Sequence, residues 1–199
     1  MNFHDFIRDS ESWQTLTREL LFENPYLQVY RTETRTPSRP EEPRPWTVVH
    51  RKGAAVVAPQ TEDGKFLLVR QERIPIRATI WEFPAGQIDE SKEHSEQLIH
   101  ETALRELREE SGHELAPDGQ LIPLGHFFPS AGFTDEHSYL FLARPVVPSA
   151  AGHLHDAHEV ITECRAFSPD EFRAMIAQNE IRDANTLSAF ARMCALGLI

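Results

Sequence analysis

Three carboxylates and a guanidinium, Arg105, Glu106, Glu109 and Glu110, fall within six residues of one another in the segment Glu101-Thr-Ala-Leu-Arg-Glu-Leu-Arg-Glu-Glu-Ser-Gly112. Helix positions four apart are neighbours, so Glu106 and Glu110 are expected to face one spot. Ala103, Leu104 and Leu107 are expected to form an apolar stripe that docks on a sheet. Two carboxylates aimed at one spot repel unless a cation stands between them. A hard divalent ion with oxygen ligands, magnesium above all, is the expected occupant. Most acidic helices are simply solvated surfaces, and what decides otherwise here lies just upstream. Trp81-Glu-Phe-Pro-Ala-Gly-Gln-Ile-Asp-Glu90 reads as the end of a strand, a turn forced by Pro and Gly, and an acidic loop leading into the helix.

Together these residues resemble the box of the Nudix hydrolases, which runs Gly, five residues, Glu, seven residues, then Arg-Glu-apolar-x-Glu-Glu-x-Gly-apolar. Gly86 supplies the opening, and Arg105-Glu-Leu-Arg-Glu-Glu-Ser-Gly112 supplies the second half in full. Two departures stand out. Gly86 and Arg105 are nineteen positions apart where the family pattern has fourteen, so about five extra residues lie within 89–100, and Glu90, Glu93 and Glu96 are all candidates for the early glutamate. The usually apolar last position is His113. Neither departure touches Glu106, Glu109 or Glu110.

A second set of residues narrows the resemblance to the ADP-ribose pyrophosphatase subgroup. Pro129, in Phe128-Pro-Ser-Ala-Gly-Phe-Thr-Asp-Glu136, follows His113 by sixteen positions; Val69-Arg-Gln-Glu-Arg73 precedes Glu82-Phe-Pro-Ala-Gly86; and Trp46 and Arg51 stand five apart. The resemblance spans roughly residues 46–190. It implies a three-layer α/β/α sandwich on a mixed sheet, and hydrolysis of ADP-ribose to AMP and ribose 5-phosphate. It implies Mg2+, with Mn2+ as a possible substitute, held by Glu106, Glu110 and the Ala85 carbonyl with Glu109 beside them. Arg105 is expected to orient Glu109 one turn on. Trp46 is implied as the adenine platform, Arg51 and Arg73 as phosphate partners, Glu82 as a polar contact and Phe133 as a flank of the terminal ribose, with Tyr26 a further candidate for the base.

Two residues compete for the role of general base. Glu109 lies beside the metal ligands, where a carboxylate is a weak base. Glu159 follows the loop Gly152-His-Leu-His-Asp-Ala-His158 and is favoured on the resemblance, because a loop acid keeps a useful pKa until closure; Asp156 stands behind it. His153, His155 and His158 suggest zinc by spacing alone, and the absence of a nearby cysteine weighs against it. Alternatives to ADP-ribose remain open: another nucleoside diphosphate sugar such as GDP-mannose or ADP-glucose, a dinucleotide, or a non-catalytic domain that senses a nucleotide.

The elements that must position these groups follow from pattern and punctuation. Residues 13–22 and 27–36 are expected as a hairpin arm. Thr36-Pro-Ser-Arg-Pro-Glu-Glu-Pro-Arg-Pro45, with four prolines in ten residues, is expected as an extended connector outside any ladder. The chain thus divides into a dimerising arm, 1–45, and a catalytic domain, 46–199. Strands are expected at 47–58, 66–72, 80–83, 122–127, 137–143 and 159–167, with the carboxylate helix between the third and fourth. Ser168-Pro-Asp-Glu171 is a capping box that opens a helix to about residue 178, and Asp183 caps a last helix, 184–196.

An isolated two-stranded hairpin is unstable in water, and the resemblance implies a homodimer with exchanged N-terminal strands. The net charge of −11 argues against a nucleic-acid partner. It also means that an anionic nucleoside diphosphate sugar needs a local cation to bind. Cys164 and Cys194 are expected as two reduced core thiols. The start of the chain lacks a basic region followed by an apolar run, and no apolar stretch approaches the roughly 18 residues of a membrane span, so a cytoplasmic location is expected, with no membrane partner.

Overall fold

The structure, a computed structural model, describes residues 9–89, 95–150, 152 and 160–199. Strands β1 (Gln14–Asn24) and β2 (Leu27–Thr36) form the expected hairpin. Its turn is closed by the Asn24 side-chain oxygen, which accepts from the N–H groups of Tyr26 (2.8 Å) and Leu27 (2.9 Å), as Asn does in tight turns.

The expectation of a connector over residues 36–45 does not hold. Strand β3 (Arg39–His50) pairs antiparallel with β2, from Thr36 opposite Arg39 to Gln28 opposite His50. The prolines are tolerated because β3 is the edge of a three-stranded sheet ordered β1-β2-β3. Pro40 and Pro43 fall where the register shifts, between the Arg39 and Arg44 pairs, and Pro45 lies opposite Glu33. One strand therefore runs unbroken across residue 45.

The main sheet contains β4 (Ala54–Thr61), β5 (Phe66–Arg73), β6 (Ala78–Glu82), β7 (Ala85–Gln87), β8 (His113–Phe127), β9 (Ser138–Pro148) and β10 (Ile161–Phe167). Its order is β10-β5-β4-β9-β8, with β6 paired to β5 and β7 to β4; β4 and β9 run parallel and the remaining pairs antiparallel. The strand expected over 47–58 is in fact two, because the chain passes from the small sheet to the large one at residues 51–53. Strand β8 starts at His113, well before residue 122, since the breaker-like Pro117-Asp-Gly119 is absorbed in a register shift between Leu115 and Gln120.

Side-chain alternation gives the sheet two apolar faces. Val56, Ala58, Leu140 and Leu142 pack with Phe172, Ala189 and Met193 of helices α2 (Pro169–Ala177) and α3 (Ala184–Ala195). Ala55, Val57, Tyr139, Phe141 and Ala143 pack with Ile99, Ala103 and Leu107 of α1 (Glu96–Ser111). The result is three layers, α/β/α, on a mixed sheet. Leu104 is not part of the docked stripe, being exposed. The thiols are free, but neither is buried in the core: Cys164 is half-buried and Cys194 exposed. No helix among the described residues is long and apolar enough to cross a membrane.

Among the described residues α1, α2 and α3 each start on a side-chain cap. Ser95 accepts from Leu98 N–H, Ser168 and Glu171 form the expected reciprocal box, and Asp183 accepts from Thr186 N–H. Thr186 also ties α3 to the Pro-Ala-Gly turn: its fully buried hydroxyl accepts from Phe83 N–H (2.9 Å) and donates to Asp183 (2.8 Å). Thr186→Val removes that acceptor and strands a buried N–H, so it should lower stability by about 1–3 kcal/mol. An unchanged urea midpoint would refute this role for the hydroxyl.

Candidate active site

Helix α1 carries Glu106 and Glu110 on the face turned toward the sheet. Glu106 is 7% and Glu110 3% exposed, in the same buried arc as Ile99, Ala103 and Leu107. A buried carboxylate is costly unless hydrogen-bonded, and each has a partner. Glu110 Oε2 accepts from the Ala85 N–H at 3.0 Å, and Glu106 Oε1 accepts from Arg105 Nη2 at 2.5 Å.

Arg105 reaches further than the one partner expected for it. Its Nε lies 3.6 Å from Glu109, and Nη2 is 3.4 Å from the Gln87 carbonyl. Burial alone would depress the guanidinium; its hydrogen bond to Glu106 and the charges of Glu106, Glu109 and Asp89 outweigh that and raise its pKa. Glu109 itself is half-exposed.

The opposite wall is the turn between β6 and β7. β7 pairs with β4, placing Gly86 opposite Ala55. A Cβ on Gly86 would stand 2.1 Å from Glu106 Oε1, so glycine is required for the carboxylate to rest against the backbone. The helix leaves the site through Gly112, in the left-handed region at φ 66°, with its N–H on Arg108 O. Beside the turn, Arg73 Nε donates to both oxygens of the buried Glu82 (2.8 and 3.1 Å), and Nη2 joins it. This pairing with Glu82 holds the Arg73 pKa up. Within the chain, then, Glu82 contacts Arg73 from a buried position.

A second cluster forms where residues 128–137 lie along β3. Trp46 and Phe133, 58% and 54% exposed, leave aromatic surface available for stacking. The Trp46 indole N–H donates to the Gly132 carbonyl at 3.1 Å, which brings the backbone next to Phe133 against Trp46. Arg51 pairs with Glu136 at 3.1 Å. Tyr26 is not brought here: Trp46 lies opposite Thr32, six residues along β2 from Tyr26, about 20 Å of strand. His50 and Asp135, which sequence reasoning passed over, bond at 2.6 Å across this cluster. No local pattern marks them, because the contact joins residues 85 apart. Glu159, Asp156, Glu90, Glu93 and the three loop histidines lie outside the described residues. Glu96 opens α1, exposed, at the far end from Glu106.

Whether the carboxylate pair suits a hard divalent cation can be judged from its donors. They are all oxygen, and the glycine-lined space beside Glu106 is one that any other side chain would fill. Among the described residues no three His, Cys, Asp or Glu side chains form a ligand group. Two carboxylates alone suit a hard divalent cation as a partial shell and not as a closed structural site.

Comparisons with known proteins bear on the family and the fold. Residues 49–190 match the family model of the NUDIX domain. The chain is 29% identical over 176 residues to an ADP-ribose pyrophosphatase of Bacillus subtilis (strain 168), spanning 88% of this chain and 89% of that protein. It is 33% identical over 144 residues to a methanol dehydrogenase activator of Bacillus methanolicus, spanning 71% and 72%. It is 31% identical over 140 residues to an ADP-ribose pyrophosphatase of Mycobacterium tuberculosis (strain ATCC 25618 / H37Rv), spanning 70% and 60%. Among solved structures, that of an ADP compounds hydrolase superposes with a TM-score of 0.72 over 95% of this chain and 96% of the other; at 16% identity the likeness is one of fold.

Gly86→Ala tests the site's shape directly. The added methyl group should displace the Glu106 carboxylate and weaken Mn2+ binding by at least about tenfold, read by electron paramagnetic resonance titration, with the unfolding midpoint little changed. Undiminished Mn2+ affinity would show that Glu106 does not need this close approach.

Proposed function

The chain belongs to the Nudix family, and from that premise we propose that it is a metal-dependent pyrophosphatase that hydrolyses ADP-ribose to AMP and ribose 5-phosphate. One observation carries the reading: Glu106 and Glu110 are buried side by side on α1 and pressed against the Gly86 turn, an arrangement that serves folding poorly and cation binding well. The relatives named as ADP-ribose pyrophosphatases supply the substrate class.

In this reading Glu106, Glu110 and the Ala85 carbonyl would hold Mg2+, with Mn2+ able to replace it. The bound cation supplies charge neutralisation for the diphosphate and activates water. The rest is positioning by the chain. Arg105, bonded to Glu106 and within reach of Glu109, keeps both carboxylates directed. Arg51 and Arg73 offer guanidinium forks to phosphate oxygens, and Glu82 holds the Arg73 fork in place. Trp46 presents its ring face to the adenine, and Phe133 flanks the terminal ribose. Glu159 takes the proton from the attacking water, with Glu109 as the alternative base; this assignment rests on sequence position.

The small sheet belongs to the same reading. β1 exposes Leu16, Leu20, Leu21 and Phe22, and Trp13 lies exposed just before it. So much apolar surface on one strand asks for a partner. We assign it to a second copy of the chain, a homodimer in which N-terminal strands are exchanged.

Two experiments test these statements. With ADP-ribose and a divalent cation, product analysis should show AMP and ribose 5-phosphate, and Glu110→Gln should lower kcat at least about 100-fold at saturating ADP-ribose. Higher kcat/KM for GDP-mannose or ADP-glucose would replace the substrate, and a wild-type protein that binds without turnover would make it a sensor. Sedimentation should give a dimer that Phe22→Glu dissociates, since a charge on that face must be desolvated on assembly; a monomeric wild type would end the strand-exchange proposal.

A further inference from the structure

Residues 130–137 are anchored to β3 by a set of contacts that the hydrolytic roles leave unexplained. Val49 N–H donates to the Phe133 carbonyl (2.8 Å), Asp135 N–H returns to the Val49 carbonyl (3.3 Å), and Val49 and Thr134 form a parallel bridge. The Asp135 carboxylate completes the anchor with both oxygens: Oδ2 lies 2.6 Å from His50 Nδ1, and Oδ1 accepts from the Arg51 N–H at 3.2 Å. Since a carboxylate only accepts, the proton lies on His50 Nδ1. On its other side the His50 ring meets Tyr30 of β2 edge-on at 6.5 Å, and the Tyr30 hydroxyl donates to Gln28 at 2.6 Å. The imidazole thus stands between the small sheet and the loop.

From this geometry we infer that His50 and Asp135 are positioning residues whose bond docks the Phe133 segment beside Trp46 and so sets affinity for the nucleoside part of the substrate. The inference rests on the hydrolase reading for its substrate and on the hydrogen bonds for its mechanism. Trp46 sits four residues before His50 on β3, and Gly132 and Phe133 two to three residues before Asp135. A bond between His50 and Asp135 therefore fixes the register that places the Gly132 carbonyl on the Trp46 indole N–H. Two residues past Asp135, the His137 carbonyl accepts from Ala54 N–H (3.0 Å), and Ala54 pairs with Gln87 beside Gly86. The same loop thereby meets the aromatic cluster at one end and the strand that backs the carboxylates at the other. Neither His50 nor Asp135 needs to touch the reacting atoms.

The test compares His50→Leu and Asp135→Ala, which remove the bond, with His50→Asn, whose amide N–H can replace Nδ1–H. The first two should raise KM for ADP-ribose about tenfold, as losing one charge-assisted hydrogen bond does, with kcat within about twofold of wild type. His50→Asn should restore KM. Without substrate, amide hydrogen exchange at residues 132–135 should quicken in His50→Leu and Asp135→Ala alone. Unchanged KM overturns the inference, as does a loss carried by kcat instead of KM, or a His50→Asn variant as impaired as His50→Leu. If Asp135→Ala does not fold, the two His50 variants decide. If the wild type does not hydrolyse ADP-ribose, the hydrolase reading fails by itself; the exchange measurement then judges the docking, and equal rates in all variants reject it.

Discussion

Two carboxylates held out of water within one turn of a helix are the constraint around which the molecule is arranged. Water is the cheapest place for a carboxylate, and an isolated one in a protein interior costs several kcal/mol. The chain meets that cost with local donors: the Ala85 N–H on Glu110 and the Arg105 guanidinium on Glu106. The Ala85 donor is available only if the turn after β6 is held close to α1. The pairing of β7 with β4, the absence of a side chain at Gly86 and the Thr186 hydroxyl on Phe83 N–H each serve that approach. A site built on paired strands and a packed helix is held more precisely than one built on loops.

The parts legible in the sequence were those decided by near neighbours. Ser168 with Glu171, and Asp183 ahead of α3, mark helix starts within four residues, and both stand where local capping chemistry puts them. The first hairpin followed from β-rich runs around Asn24-Pro25. The fold and family were legible too, because the carboxylate motif occupies one continuous helix and turn. Leu104 was misplaced for an instructive reason. Periodicity assigns the sheet-facing arc to the most apolar residues, whereas here Glu106 and Glu110 occupy it and Leu104 is turned outward. A functional site overrides the hydrophobic pattern there.

The proline run failed differently. Proline removes a ladder donor, which forbids a central strand but not an edge, and whether a strand is an edge depends on the whole sheet. With β3 at the edge, residues 39–45 join the ladder, and the strand delivers Trp46, Val49, His50 and Arg51 to the loop at 130–137. These contacts span 84 to 86 residues of sequence. No periodicity or spacing rule reaches that far, so the aromatic cluster could be suspected one residue at a time but not assembled.

Assembling it changes how charge must work at this site. Arg51, Arg73 and Arg105, the arginines of the proposed site, each already face a carboxylate: Glu136, Glu82, and Glu106 with Glu109. A paired guanidinium keeps its directional N–H groups but presents little net positive field. With −11 on the chain as a whole, the long-range potential repels a diphosphate. In the proposed function, attraction enters with a divalent ion held by the same carboxylates that would otherwise oppose the substrate. The arginines then act at short range, where fork geometry matters more than charge. In the proposed reading the cation supplies attraction for the diphosphate and the docked aromatic cluster affinity for the nucleoside, and the two are joined through β4, which pairs with β7 at Gly86 and takes the His137 carbonyl on Ala54.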